Sequence, residues 1–155
     1  MRELPDVITS ILINHSANFF FVIRPLDYDG GRVRLSFVLR SEFAKTSHIT
    51  SALGCALDCL ARAVGYQALG YCATTESEVS FHDDALSLDG PQTFIAEAML
   101  GLTDNNLATY TSSIHVQDGG RHKLIVNASG TLKRQHANNL RYIADWRQLK
   151  GACAG

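Results

Sequence analysis

Only 19% of the 155 residues are charged, and the two signs nearly cancel, with 14 Lys and Arg against 15 Asp and Glu. Without an excess of positive charge, the chain lacks the electrostatic footprint for broad binding to nucleic acid or an anionic membrane. Three prolines and 12 glycines are too few for a collagen-like repeat. Cys55, Cys59, Cys72 and Cys153 form no CxxC pair. Cys55 and Cys59 lie one helical turn apart, a geometry that disfavours a disulfide between them, so a disulfide scaffold is excluded. The thiols read as reduced and buried, as in a cytoplasmic protein. No apolar run approaches the roughly 20 residues of a membrane-spanning helix. The opening MRELPDVITSILINH has mixed charge and an early Pro5, and lacks the apolar stretch and small-residue cleavage site of a signal peptide. What is abundant is apolar side chain: 46% hydrophobic residues exclude disorder and can fill the core of a single domain.

Along the chain, Val7, Ile8, Ile11 and Leu12 make one stripe of a short amphipathic helix from about Leu4 to His15. Asn18 to Arg24, aromatic and β-branched, reads as a strand, and DYDGGR as the turn after it, since adjacent glycines supply positive φ. Val33, Leu35, Phe37 and Leu39 then alternate with Arg32, Arg34, Ser36 and Arg40, which closes a hairpin with a basic outer face. Between Ser47 and Tyr66 the pattern is helical and apolar nearly all round, so this helix is expected to be buried on all sides. Ser47 or Thr50 can cap its start and Gly65 can end it. Thr75, Ser77, Val79 and Phe81 alternate with Thr74, Glu76, Glu78 and Ser80 in the next strand. Thr93 to Thr103 reads as a further strand, although its Glu and Ala also suit a helix. Strands around Tyr110–Val116 and Leu124–Ser129 flank the turn QDGGR, and a last helix is expected from about Asn138 to Leu149. There is no repeat, no low-complexity segment and no linker.

The order of helix, hairpin, long apolar helix and several antiparallel strands resembles the hotdog-fold thioesterases. The nearest likeness is to their phenylacetyl-CoA and 4-hydroxybenzoyl-CoA branches. ALGCALDCLARAVG resembles the central helix of that superfamily, TTESEVSFHDDAL the strand after it, and HVQDGGRHKLIVNASGTLKRQ the closing hairpin. The resemblance implies an α+β hotdog fold: one curved antiparallel sheet wrapped around a long central helix. The domain would span residues 1–155, with a core of about 16–135 and a C-terminal helical extension of about 136–155. It implies hydrolysis of an aromatic or medium-chain acyl-CoA at a dimer-interface site, in a homodimer or a dimer of dimers. Coenzyme A would enter as part of the substrate, with no other cofactor, no metal, no nucleic acid and no membrane. The alternative is a non-catalytic hotdog protein that binds an acyl-CoA or a small apolar ligand.

Asp58 is the central candidate. A carboxylate in an apolar helix costs several kcal/mol unless it is paired or faces a cavity. It suits a general base or a nucleophile, while Arg62, four residues on, could instead hold it in a salt bridge. Hydrolytic members of the superfamily often carry His-Gly-Gly at the start of the helix, nine residues before the acid. Here the corresponding positions are Ile49, Thr50 and Ser51, with His48 one place earlier, and Phe43 stands where an Asn is common. His48, Thr50 and Ser51 are therefore the candidates around the thioester carbonyl, with the amides near Thr50 and Ser51 as oxyanion donors. Candidate substrate contacts are Thr75, Phe81 and His82, with Arg121, Lys133 and Arg134 for the phosphates of coenzyme A. Arg32, Arg34 and Arg40 form a rival phosphate surface, or could pair with Glu76 and Glu78. His82, Asp83 and Asp84 are adjacent in a turn and do not make a metal-ligand set.

Overall fold

The computed structural model of the chain describes residues 6–43, 49–82, 93–118 and 121–135. The first apolar stripe folds as helix α1 (Asp6–Asn14), which buries Ile8 and Leu12. Its exit is wound into a short 3₁₀ turn, Ser16–Phe19, because the imidazole Nδ1 of His15 accepts a hydrogen bond from the Ala17 amide. For that reason strand β1 (Phe21–Asp29) starts later than the aromatic run suggests. It also runs further: Tyr28 pairs with Val33 and is buried, so the expected DYDGGR turn contracts to Gly30 and Gly31 before β2 (Arg32–Leu39).

The long apolar run forms helix α2 (Ile49–Leu69). It ends at Gly70, whose φ of 69° is the left-handed conformation that terminates helices, and not at Gly65. Gly65 serves packing instead. A Cβ there would lie 2.6 Å from Leu132 Cδ1 and 2.7 Å from Cys72 Sγ, so the missing side chain lets α2 approach the sheet closely. Strands β3 (Cys72–Phe81), β4 (Thr93–Thr103), β5 (Leu107–Asp118) and β6 (Arg121–Arg134) follow. The segment around Thr93 is thus a strand. Its Phe94, Ala96 and Ala98 point into the core, and the alternation outweighs helical propensity.

All neighbouring strands are antiparallel, in the order β1-β2-β4-β5-β6-β3. The inner face packs on α2, and the helix's Leu53, Ala56, Leu57, Leu60, Ala61 and Val64 enter the core with Phe21, Phe37 and Phe94. Contrary to the expectation of all-round burial, one stripe of α2 remains partly open: Ser51, Gly54, Cys55, Asp58 and Arg62. It lies between β3, an edge strand among the described residues, and the end of α1, whose His15 reaches Asp58. No described helix is long and apolar enough to cross a membrane. Cys59 and Cys72 are buried free thiols, whereas Cys55, expected to be buried too, is a free thiol on the partly open stripe; Cys153 and the predicted C-terminal helix lie outside the described residues.

A bulge between Thr74 and Glu76 shifts the register of β3 against β6. Before it Thr74 pairs with Leu132, and after it Ser77, Val79 and Phe81 pair with Gly130, Ala128 and Val126, all on the inner face. The bulged backbone sits directly over Gly130, where a Cβ would lie 2.2 Å from the Glu76 carbonyl oxygen and 3.1 Å from Ser77 Cα. Backbone cannot step aside as a side chain can. Gly130→Ala is expected to destabilise by about 1–3 kcal/mol, read as a lower urea midpoint at unchanged slope.

Candidate functional site

Asp58 lies midway along the open stripe of α2, with its side chain 35% exposed. Arg62, one turn on, donates from Nε to Asp58 Oδ2 at 2.9 Å, so the i,i+4 pairing legible in the sequence is formed. The same oxygen receives a second bond, from His15 Nε2 at 2.7 Å. Because His15 Nδ1 accepts from the Ala17 N–H at 3.0 Å, the proton belongs on Nε2, which makes it the donor. The other oxygen, Oδ1, is 3.4 Å from the Thr74 hydroxyl on β3. Thr74 in turn hydrogen-bonds the buried phenol of Tyr110.

The electrostatics follow from these contacts. Burial pushes the Asp58 carboxyl up, but the His15 hydrogen bond and the Arg62 charge outweigh it and hold the group below the ordinary carboxylate value. Burial pushes the neighbouring thiols the other way, Cys59 to about 12 and Cys72 to about 11, so both stay protonated near neutrality. Since the folded-state value of Asp58 lies below its unfolded value of 3.8, its pairing stabilises the fold above that pH. The contribution is lost as pH falls through the lower, folded value. Asp104, held down by the Asn106 and Leu107 amides, adds to the same window. Urea midpoints measured on acidification should therefore fall below about pH 4, and less steeply in Asp58→Asn.

His15 and Thr74 are the two members of this cluster that sequence reading missed. His15 is 43 positions from Asp58, so no local spacing announces the contact. Plain alternation puts Thr74 opposite in face to Thr75, Ser77 and Phe81, but the bulge, which leaves no pattern in the sequence, turns Thr74 to the same face as Ser77 and Phe81. Thr75, the candidate in its place, is exposed at the bulge, and its hydroxyl bonds the Thr131 carbonyl at 3.3 Å. Phe81 is on the inner face near the end of β3, 38% exposed. His82 follows it, with Nε2 3.0 Å from Asn127 Oδ1. Thr50 and Ser51 occupy the exposed first turn of α2, and His48 lies outside the described residues.

The basic candidates do not converge. Arg121 opens β6 while Lys133 and Arg134 close it, about 40 Å apart at strand rise, so one copy of the chain does not bring them together. Arg32 and Arg34 are tied to Glu97 on β4, at 2.7 and 3.5 Å. Glu76 and Glu78 are not their partners, because three strands separate β3 from β2. Arg40 Nε bonds the Asn18 carbonyl at 3.0 Å. Among the described residues no cluster of His, Cys, Asp and Glu could hold a metal ion.

The same architecture recurs in solved structures. The E. coli PaaI protein from the phenylacetic acid degradation operon superposes with a TM-score of 0.61 at 16% identity, over 83% of this chain and 88% of that one. A hypothetical thioesterase protein from Streptococcus pneumoniae, solved with coenzyme A, gives 0.64 at 10% identity, over 84% and 95%. A thioesterase family protein from Silicibacter pomeroyi gives 0.60 at 16%, over 81% and 93%. No family model and no curated protein sequence matches the chain. Together, a six-stranded antiparallel sheet packed on one long helix and this likeness to thioesterase-superfamily structures establish that the chain has the hotdog fold.

Proposed function

We propose that the chain is an acyl-CoA thioesterase whose site is the groove between α2 and β3, completed by a second copy of the chain. The observation that carries this reading is Asp58: a half-buried carboxylate kept ionised, held on Oδ2 by Arg62 and His15 and met on Oδ1 only by a long 3.4 Å contact from the Thr74 hydroxyl among the described residues. A carboxylate held below its ordinary value is a weak base but remains a nucleophile. In this reading Oδ1 attacks the thioester carbonyl, the C–S bond breaks, and the coenzyme A thiolate leaves and takes a proton from water. Water then cleaves the acyl–Asp58 anhydride, releasing the acid and restoring the carboxylate. Amides at the exposed start of α2 in the second copy, near Thr50 and Ser51, would receive the developing oxyanion. The acyl group is aromatic or medium-chain, coenzyme A enters only as part of the substrate, and the setting is the cytoplasm. The likeness to named thioesterases, one of them solved with coenzyme A, supports the assignment.

In this reading the second copy docks along β3, which is an edge strand among the described residues and carries Val79 and Phe81 at 41% and 38% exposure. Replacing both, Val79→Lys with Phe81→Asp, is expected to yield monomers by light scattering and to remove hydrolysis together with the dimer. A dimer with full activity in that variant would move the interface elsewhere. The activity itself is tested by hydrolysis of a panel of aryl- and alkyl-CoA substrates.

One observation favours a second reading. The Oδ2 side of Asp58 is already satisfied by Arg62 and His15, as a purely structural carboxylate would be. A non-catalytic hotdog protein binding an acyl-CoA or a small apolar ligand would show no turnover on any member of the panel. It would instead show a melting temperature raised by one of them.

A further inference from the structure

His15 is a largely covered imidazole, its side chain 10% exposed, brought from the end of α1 against a carboxylate on α2. It does two jobs with its two nitrogens. Nδ1 accepts the Ala17 amide and so caps the 3₁₀ turn, and Nε2 donates to Asp58. The first bond fixes the tautomer required by the second, because an Nδ1–H would face another N–H.

We propose that His15 is the positioning residue of this site: locked as the Nε2–H tautomer by the Ala17 amide, it holds Asp58 by Oδ2 and leaves Oδ1 as the reacting oxygen. This rests on the thioesterase reading for its catalytic meaning, while the pairing itself does not. Without His15 the carboxylate would keep the i,i+4 bond from Arg62 and the long 3.4 Å contact from Thr74, a pair that holds its plane weakly about χ2. Two donors on one oxygen, from different elements, fix the plane of the group. The other titratable groups around Asp58 do not compete. Cys59 on α2 and Cys72 on β3 are pushed up to about 12 and about 11, and burial also raises the Tyr110 phenol on β5. All three stay neutral, which leaves His15 and Arg62 as the groups that favour the carboxylate.

Two substitutions separate the two jobs. His15→Asn keeps a side-chain acceptor for the Ala17 amide but is too short to reach Asp58, whereas His15→Gln retains an amide donor at about the reach of Nε2. The Asp58 carboxyl carbon, followed by NMR through an acid titration, is expected to titrate at higher pH in His15→Asn and near the wild-type position in His15→Gln. In hydrolysis, His15→Asn should lose about 10- to 100-fold in kcat with KM little changed, and its acid limb should move toward neutrality. An Asp58 titration that does not move in His15→Asn overturns the proposal. Should that variant fail to fold, the wild-type imidazole nitrogen shifts decide, since a protonated Nδ1 is incompatible with it. A wild-type chain that hydrolyses no thioester overturns the proposed function, yet the Asp58 titration still tests the role of His15.

Discussion

On the thioesterase reading, Asp58→Asn is expected to lose roughly 10²- to 10⁴-fold in thioester hydrolysis while the chain remains folded in an unchanged oligomeric state. The change is nearly isosteric, so packing on α2 is preserved and the loss isolates the charge. An amide oxygen can still accept from Arg62 or His15, but the amide nitrogen is neither nucleophile nor base, and it presents N–H groups where a lone pair is required. Stability at neutral pH should fall modestly, by about 1 kcal/mol or less, because Arg62 is 36% exposed and water solvates the partner left behind. Full activity in this variant would remove the carboxylate from the mechanism and leave Asp58 as a structural partner of Arg62 and His15.

Phe21→Ala is expected to give the largest loss of stability. Phe21 is fully buried at the start of β1, edge-on to Phe37 at 5.4 Å and to Phe94 at 6.0 Å between ring centroids. These rings join three neighbouring strands, β1, β2 and β4, against α2, so the truncated site cannot collapse from one side alone. The cost is about 3–5 kcal/mol, or roughly 6–20 °C in melting temperature for a domain of this size. A scanning calorimetry shift of only a degree or two would mean that the three-ring cluster relaxes into the space. Phe19, by contrast, is 66% exposed, and its truncation should cost far less although it lies in the same aromatic run.

The contrast between those two phenylalanines shows where sequence reading works and where it stops. Alternation in β2 and the apolar run of α2 were legible because burial imposes a period on the chain, and period is a property of sequence alone. Runs such as Phe19 to Phe21 carry no period, and only the 3₁₀ turn at Ser16–Phe19 decides which ring enters the core. The end of α2 is not legible for a similar reason. Gly65 and Gly70 look alike in sequence, yet one is the small residue beneath Leu132 and Cys72 and the other the left-handed stop.

For the site, the sequence by itself determined that a carboxylate sits in an apolar helix with a guanidinium one turn away, since helical spacing alone brings Asp58 to Arg62. Alternation and turn residues also determined the strands and their hairpins, while the sheet packed on that helix was implied by the family resemblance. Only the tertiary structure decided the rest. It brought His15 across 43 positions to the free side of Oδ2, and it turned Thr74 rather than Thr75 inward through a bulge. It left one stripe of α2 open beside an edge strand and carried Arg121 away from Lys133 and Arg134. Local spacing specifies neighbours within a helix or strand. Contacts between elements depend on where each chain segment is carried by the packing of all the others, and a bulge of one residue is enough to exchange which side chain faces the site.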